Sequence, residues 1–366
     1  MSEDIDLKDF FDNVNLNMEE KETIFVGIPS YRDEELNKTL DSLINNAEDF
    51  SRLSIVVFCQ GKEEIVEAKY KDHSNIIFIS TNTSNAKGTG WARNKIQSFY
   101  NNETYTLWVD AHMRFTKLWD STLINMYKKL KRESYDPIIT NYASQYLKGE
   151  DMHLYDPMQR ELQLTNGTLI ENNGDYIVTR GSYVQVDNIC NGDGKRILGH
   201  IDESEKWNTQ LVEFLPSCWV SLHFLFTEGE FNNKIKFDPC HYFSGDEYNI
   251  TLRSYTHGYD IVSPTKIVMS HWYKRDDVIN RPQTWAEYDP DWTSKDEFGI
   301  LKNMDLFDGK KDDEYGLGEE RTIDDYIKYA QGVSSCGYKK FSSVSELKIW
   351  FNKPGNWDVV EGLISE

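Results

Sequence analysis

Leu107-Trp108-Val109-Asp110-Ala111-His112-Met113-Arg114-Phe115 decides how the rest of the chain is read. Apolar residues at Tyr105, Leu107 and Val109 lead into an acid and an imidazole two residues apart. Residues i and i+2 of a strand point to the same side, so Asp110 and His112 can face one point together. An oxygen and a nitrogen ligand suit a divalent ion of the Mn²⁺ or Mg²⁺ kind, which keeps waters or borrows substrate phosphates for its other positions. An isolated Asp-x-His is more often a strand end with two solvated side chains. Here Trp108-Val109 before the pair and Met113-Arg114-Phe115 after it make the stretch far more specific than its two ligands.

Upstream, Thr23-Ile24-Phe25-Val26-Gly27-Ile28-Pro29 is a buried-strand run ended by proline. Ser30-Tyr31-Arg32-Asp33-Glu34-Glu35 follows, with Ser30 or Asp33 able to cap a helix over Leu36–Asn46. Leu53–Cys59 reads as a second strand, Gln60-Gly61 as a turn, Lys62–Lys71 as a helix and Ile76–Ile79 as a third strand. This alternation predicts an α/β domain built on a mostly parallel sheet with right-handed crossovers. Ligands of such sheets sit beyond the carboxyl ends of the strands. Pro29-Ser30-Tyr31-Arg32 and Gln60 lie there, where the base and ribose of a nucleotide can be held, although ordinary strand-to-helix turns look the same locally. Asn85-Ala86-Lys87-Gly88-Thr89-Gly90-Trp91-Ala92-Arg93-Asn94 is a glycine-containing loop entering a helix. Gly88 and Gly90 let a backbone approach a ligand closely, and Lys87, Arg93 and the helix N-terminus favour anions. Neither the phosphate-loop pattern nor the dinucleotide fingerprint is matched.

Downstream, Ile138-Ile139-Thr140 reads as a strand, and Ile170–Asp175 with Tyr176–Val186 as a hairpin turning on Asn172-Asn173-Gly174-Asp175. Residues 136–215 are read as a variable, β-rich insertion on the acceptor side. A helix begins near Gly245 with Asp246 and Glu247 in its first turn, where acids also complement the helix dipole. Ile267–Tyr273 is a strand carrying His271. Thr322 followed by Asp325 is an N-cap with an acid in the first turn. Phe341–Asn352 has the spacing of a short amphipathic helix.

The 366 residues can bury a sizeable core. Forty basic against 61 acidic residues give a net charge of −21, which leaves no electrostatic footprint for nucleic acid or an anionic membrane. Cys59, Cys190, Cys218, Cys240 and Cys336 are scattered and odd in number, which argues against a disulfide framework and for a reducing compartment. Residues 1–21 read as a polar leader without a signal-peptide core. No run approaches the roughly 20 apolar residues that span a bilayer. A cytoplasmic protein is expected.

Val109-Asp110-Ala111-His112-Met113-Arg114-Phe115 resembles the metal motif of glycosyltransferase family 60, the cytoplasmic polypeptide α-N-acetylglucosaminyltransferases, relatives of the mucin-type polypeptide GalNAc-transferases. Four further stretches carry the resemblance: Ile28-Pro29-Ser30-Tyr31-Arg32-Asp33, the Gly88–Arg93 loop, Gly245-Asp246-Glu247, and Tyr315-Gly316-Leu317-Gly318 with Arg321-Thr322. The resemblance implies a GT-A fold over residues 22–335: a Rossmann-like central sheet with helices on both faces, followed by a helical extension over 336–366. It implies a UDP-sugar donor, with GlcNAc or a related hexose transferred with retention to a hydroxyl of a polypeptide or glycan. It further implies Mn²⁺ or Mg²⁺ held by Asp110, His112 and His271, and donor contacts from Pro29, Ser30, Tyr31, Arg32, Gln60, Lys87, Gly88, Arg93, Asp110 and Ala111. Arg93 and Arg114 would add charge at the diphosphate, and Asp246 and Glu247 would position the donor sugar or the acceptor.

Two other classes, and one narrower rival that changes only the acceptor, meet the same residues. A phosphatase or nuclease on an Asp/His site needs a second metal and its ligands, which the sequence does not offer. A noncatalytic carbohydrate-binding protein could use the 10 Trp and 21 Tyr as stacking platforms but needs no Asp-x-His pair at a strand end. A glycosyltransferase acting on a modified DNA base is opposed by the charge of −21.

Overall fold

The computed structural model describes residues 22–61, 66–133, 135–141, 143–145, 161–163, 169–171, 214–217, 219–264, 266–272, 289–309 and 314–333. Four strands, β1 (Ile24–Ser30), β2 (Leu53–Gln60), β3 (Ile76–Thr81) and β4 (Tyr105–Val109), pair in parallel in the order β3-β2-β1-β4. All seven residues of β1 are buried, as a strand covered on both faces requires. The crossovers carry α1 (Leu36–Asn46), the short α2 (Ala68–Lys71) and α3 (Thr89–Gln97). The helix expected over Lys62–Lys71 is formed only from Ala68 among the described residues, because the backbone of Glu67 is extended.

Beyond β4 the sheet continues through β11 (Phe224–Glu228), β6 (Pro137–Thr140), β12 (Asp260–Pro264) and β10 (Phe214–Pro216). β11 runs antiparallel to both β4 and β6, β12 parallel to β6, and β10 antiparallel to β12. The sheet is thus mostly parallel, as the strand–helix rhythm predicts. The ends of the expected insertion, residues 136–215, are strands of this sheet, since β6 and β10 flank β12. Between them, β8 (Glu161–Gln163) and β9 (Leu169–Glu171) pair antiparallel with Leu162 opposite Ile170. Ile170 thus pairs with the preceding strand, and the expected turn at Asn172–Asp175 lies outside the described residues. The proposed partner Tyr176–Val186, the leader 1–21, the extension 336–366 and the helix over Phe341–Asn352 lie outside the described residues.

A second, three-stranded sheet positions the site: β5 (Met113–Phe115), β13 (Met269–His271) and β7 (Ser144–Gln145), with β13 in the middle. The remaining helices are α4 (Trp119–Arg132), α5 (Phe231–Lys234), α6 (Asp246–Thr256), α7 (Trp292–Phe307) and α8 (Ile323–Val333). Alternation along β1 divides the core between the faces. Ile24, Val26 and Ile28 join Leu36, Leu40 and Leu43 of α1 and Leu123 of α4, whereas Phe25 joins Trp108, Ala92 and Ile96 of α3 and Ile250 of α6. A third cluster packs Leu252 and Tyr255 of α6 with Leu306 of α7 and Ile323 and Ile327 of α8. The Thr322/Asp325 cap forms as expected: Asp325 accepts from the Thr322 N–H at 2.9 Å, and Thr322 Oγ1 accepts from the Asp325 N–H at 3.1 Å. Among the described residues no helix is long and apolar enough to cross a membrane.

Candidate active site

β4 ends at Val109, so Asp110 leaves the carboxyl edge of the sheet, and Ala111-His112 lead into β5. Thr39 of α1, fully buried, fixes this turn: its hydroxyl donates to the Ala111 carbonyl at 2.7 Å and accepts from the Met113 N–H at 2.9 Å. β13 pairs antiparallel with β5 and sets His271 opposite Met113, which brings its ring to 4.6 Å from that of His112. One ligand atom from each of Asp110, His112 and His271 then falls within 4.8 Å of the others. His271 Nε2 lies 3.3 Å and His112 Nε2 4.0 Å from Asp110 Oδ2. The three residues expected to ligate a metal are therefore together, and one carboxylate oxygen with two imidazole nitrogens is a donor set that fits a divalent first-row ion. Burial works against charge on Asp110, but the hydrogen bond from His271 and the charges of His112 and Arg93 outweigh it and hold the carboxyl well below its usual range.

Asp33 has a role that the helix-cap reading does not foresee. Glu35 stands at the N-cap of α1 and its own side chain makes no cap hydrogen bond. Asp33 Oδ1 accepts from the Glu35 N–H at 3.0 Å, and Oδ2 meets His112 Nδ1 at 2.9 Å. A carboxylate on Nδ1 fixes the proton there and turns Nε2 towards Asp110 as a lone-pair donor.

Arg93 bridges two acids. Its buried guanidinium donates to Asp246 Oδ2 at 2.6 Å and to Asp110 Oδ1 at 3.3 Å. Asp246 opens α6 after Gly245 and also accepts from the Thr89 hydroxyl at 3.3 Å. Burial pushes the Asp246 carboxyl up, against the pull of Arg93. Arg114, expected near the diphosphate, instead forms an ion pair with the buried Glu35 and donates to the Met113 carbonyl.

The glycine loop is also used differently from expectation. A Cβ on Gly88, where φ is +90°, would lie 1.9 Å from the Tyr242 carbonyl, and one on Gly90 would lie 2.6 Å from that of His241. The Thr89 and Gly90 N–H groups donate to those same carbonyls at 2.8 and 3.1 Å. What approaches the glycines is the chain's own backbone, so the first turn of α3 holds the loop before α6. Gln60 clamps the other side of this loop, donating to the Gly88 carbonyl and accepting from the Lys87 N–H, both at 3.0 Å. The exposed Lys87 ammonium stands 5.6 Å above the Trp91 ring. Pro29 and Ser30 close β1 opposite Phe58 and Cys59, and a Cβ on Gly61 would lie 2.6 Å from Arg32 Cγ. The turn Tyr31-Arg32 and the end of β2 thus lie side by side at the sheet's carboxyl edge.

Glu247 is fully engaged with the segment before β11. Its Oε1 accepts from the Leu222 N–H at 2.9 Å and the Ser221 hydroxyl at 3.2 Å, and its Oε2 from the Trp219 indole at 3.2 Å. His223 follows, its ring 4.5 Å from that of His271. Its Nε2 accepts from the Ala143 N–H at 3.0 Å and its Nδ1 meets Ser221 Oγ at 2.8 Å. Burial, with His271 alongside, holds the His223 imidazole well below its usual range. Thr39, Asp33, Ser221 and His223 are the site residues that sequence reasoning misses. The one local signal was a histidine at the head of the apolar run Phe224–Phe226.

The fold is α/β with a largely parallel central sheet, and the family comparison makes the protein a glycosyltransferase. Residues 23–70 and 59–335 match the family described as Glycosyltransferase (GlcNAc), and the chain belongs to it. No curated protein matches. Among solved structures, GalNAc-T7 with UDP, GalNAc and Mn²⁺ is similar at 12% identity and a TM-score of 0.46 over 93% of this chain. The chain spans 58% of the length of that structure. TarS 1-349 of S. aureus is similar at 14% identity and a TM-score of 0.45, over 93% of this chain and 80% of that one.

Proposed function

We propose that the protein transfers GlcNAc, or a related hexose, from its UDP-sugar to a hydroxyl of a polypeptide or glycan, with retention and with Mn²⁺ or Mg²⁺ at Asp110, His112 and His271. The observation that carries the reading is the convergence of these three side chains at the carboxyl edge of a largely parallel sheet, where nucleotides bind. The bound ion supplies Lewis-acid neutralisation of the leaving diphosphate. Asp33 keeps the His112 proton on Nδ1, away from the centre. Arg93 holds Asp110 and Asp246 in one fixed geometry, and fixed charges cost no reorganisation during reaction. Lys87, exposed over the Trp91 ring, is the cation assigned to the diphosphate in this reading. The turns at Pro29–Arg32 and Gln60 form the nucleotide end, and Asp246 and Glu247 at the start of α6 form the acceptor end. In this reading the acceptor attacks from the side of the leaving group, and no side chain is assigned as a nucleophile.

Donor hydrolysis across a panel of UDP- and GDP-sugars, with and without Mn²⁺, tests the donor and the metal together. UDP-GlcNAc is expected to be turned over fastest, and only with the ion present. Full activity of Asp110→Ala and His112→Ala in chelator would overturn the metal assignment. A preference for GDP-sugars would overturn the donor assignment.

A further inference from the structure

His271 comes from the second half of the chain, and the strand that carries it, β13, is only three residues long. Its ring also lies against that of His223, with ring centroids 4.5 Å apart and an interplanar angle of 38°. His223 is itself held at both nitrogens. Nε2 accepts from the Ala143 N–H, so the ring proton sits on Nδ1 and points at Ser221 Oγ 2.8 Å away. The Ser221 hydroxyl in turn donates to Glu247 Oε1, and Glu247 is fixed by the Leu222 N–H and the Trp219 indole. Donors and acceptors alternate along the whole chain from Ala143 to Glu247. Ser221 is fully buried and His223 is 6% exposed. Placing a polar relay at the head of an apolar strand costs desolvation that an aliphatic residue would avoid. With both nitrogens given to protein partners, the ring presents its face, rather than a lone pair, to His271.

We infer that His223 is a positioning residue for the metal centre: held by Ser221 and through it by Glu247 of α6, it fixes the His271 ring with Nε2 towards Asp110. The inference rests on the proposed reading of Asp110, His112 and His271 as metal ligands. It links the acceptor-end acid to the donor-end centre through two intervening side chains. The second bridge between the same elements, Asp246 to Arg93 to Asp110, then makes the start of α6 a common support for the site.

The test is Mn²⁺ binding by the full chain without donor, followed by calorimetry and by the electron paramagnetic resonance of free Mn²⁺. Ser221→Ala removes one oxygen and His223→Ala the ring, while His223→Gln restores an acceptor for the Ala143 N–H. Leu43→Ala, in the core on α1, serves as a control for general destabilisation. Residues that orient a metal-bound histidine are expected to change affinity about 10- to 100-fold when lost. His223→Ala should fall in that range, Ser221→Ala and His223→Gln between it and wild type, and Leu43→Ala should bind as wild type does. Wild-type affinity in both His223→Ala and Ser221→Ala would overturn the inference alone. So would an equal loss in Leu43→Ala at matched thermal stability. Failure of the wild type to bind Mn²⁺, indistinguishable from Asp110→Ala, would overturn the metal reading and the inference with it.

Discussion

Replacing Asp33 by Asn tests how His112 is made into a ligand. The two oxygens of Asp33 serve two donors, the Glu35 N–H at 3.0 Å and His112 Nδ1 at 2.9 Å, at a position only 4% exposed. Asparagine has the same shape but one acceptor and one donor. If its oxygen stays on the Glu35 N–H, its amide nitrogen faces Nδ1, and the imidazole must shift its proton to Nε2, which can then no longer ligate. If the amide is reversed, the His112 tautomer survives but the Glu35 N–H faces a donor. Holding an ion in the first arrangement, or folding in the second, then sets one buried donor against another, at about 1–3 kcal/mol. At 1.4 kcal/mol per tenfold that is roughly 5- to 150-fold, taken from Mn²⁺ affinity in the first arrangement and from folding in the second. Calorimetric Mn²⁺ titration and a thermal melt on the same sample separate the two. Asp33→Ala, which releases His112 altogether, should weaken Mn²⁺ at least as much. Unchanged affinity together with an unchanged melting temperature in Asp33→Asn would refute the reasoning.

Gly88→Ala should cost more than about 3 kcal/mol by denaturant titration, because the new Cβ meets the Tyr242 carbonyl at 1.9 Å on a backbone with φ of +90°. Arg253→Ala should destabilise by at least about 3 kcal/mol and expose residues 314–318 to proteolysis, since the fully buried guanidinium donates to the carbonyls of Lys236, Glu314 and Gly316. Burial raises Asp238, but the Lys302 ammonium at 2.7 Å and the Cys240 N–H hold its carboxyl below the ordinary value. A folded-state pKa below the unfolded one gives stability that is present above the unfolded value of about 3.9 and lost as pH falls through the folded one. Asp238→Asn should therefore lower stability at pH 7 and flatten the acid limb of unfolding below about pH 4, measured by thermal melts across pH.

The first half of the sheet was legible because its information is local. β1, β2 and β4 are apolar runs buried on both faces, and α1 carries Leu36, Leu40 and Leu43 at helical spacing, so its bounds were found as expected. The second half was harder because its strands pair out of chain order. β6 and β10 flank β12, and β11 is inserted antiparallel between β4 and β6. Nothing in Pro137–Thr140 or Phe214–Pro216 announces a partner more than forty residues away. Those segments therefore read as the margins of an insertion, when they are rungs of the main sheet.

The same distinction governs the site. Asp110 and His112 share one short motif, so their pairing follows from strand geometry, whereas His271 needed the family resemblance and is explained by the register of β13 on β5. The groups that hold those ligands were hidden by separation along the chain. Asp33 meets His112 across 79 residues, and Arg93 meets Asp246 across 153. In sequence each has a sufficient local reading, Asp33 as a helix cap and Asp246 as a dipole-compensating acid. In the fold each acid adds a distant partner to its local one: Asp33 keeps Oδ1 on the Glu35 N–H and turns Oδ2 to His112, and Asp246 keeps Oδ1 on the Glu247 N–H and turns Oδ2 to Arg93. A cap is worth about 1 kcal/mol. A buried, charge-assisted contact that fixes a ligand is worth about 1.5–3 kcal/mol and sets geometry as well. Each carboxylate has two oxygens, so the local contact and the distant one are made together, and the larger, more directional one decides where the second oxygen points.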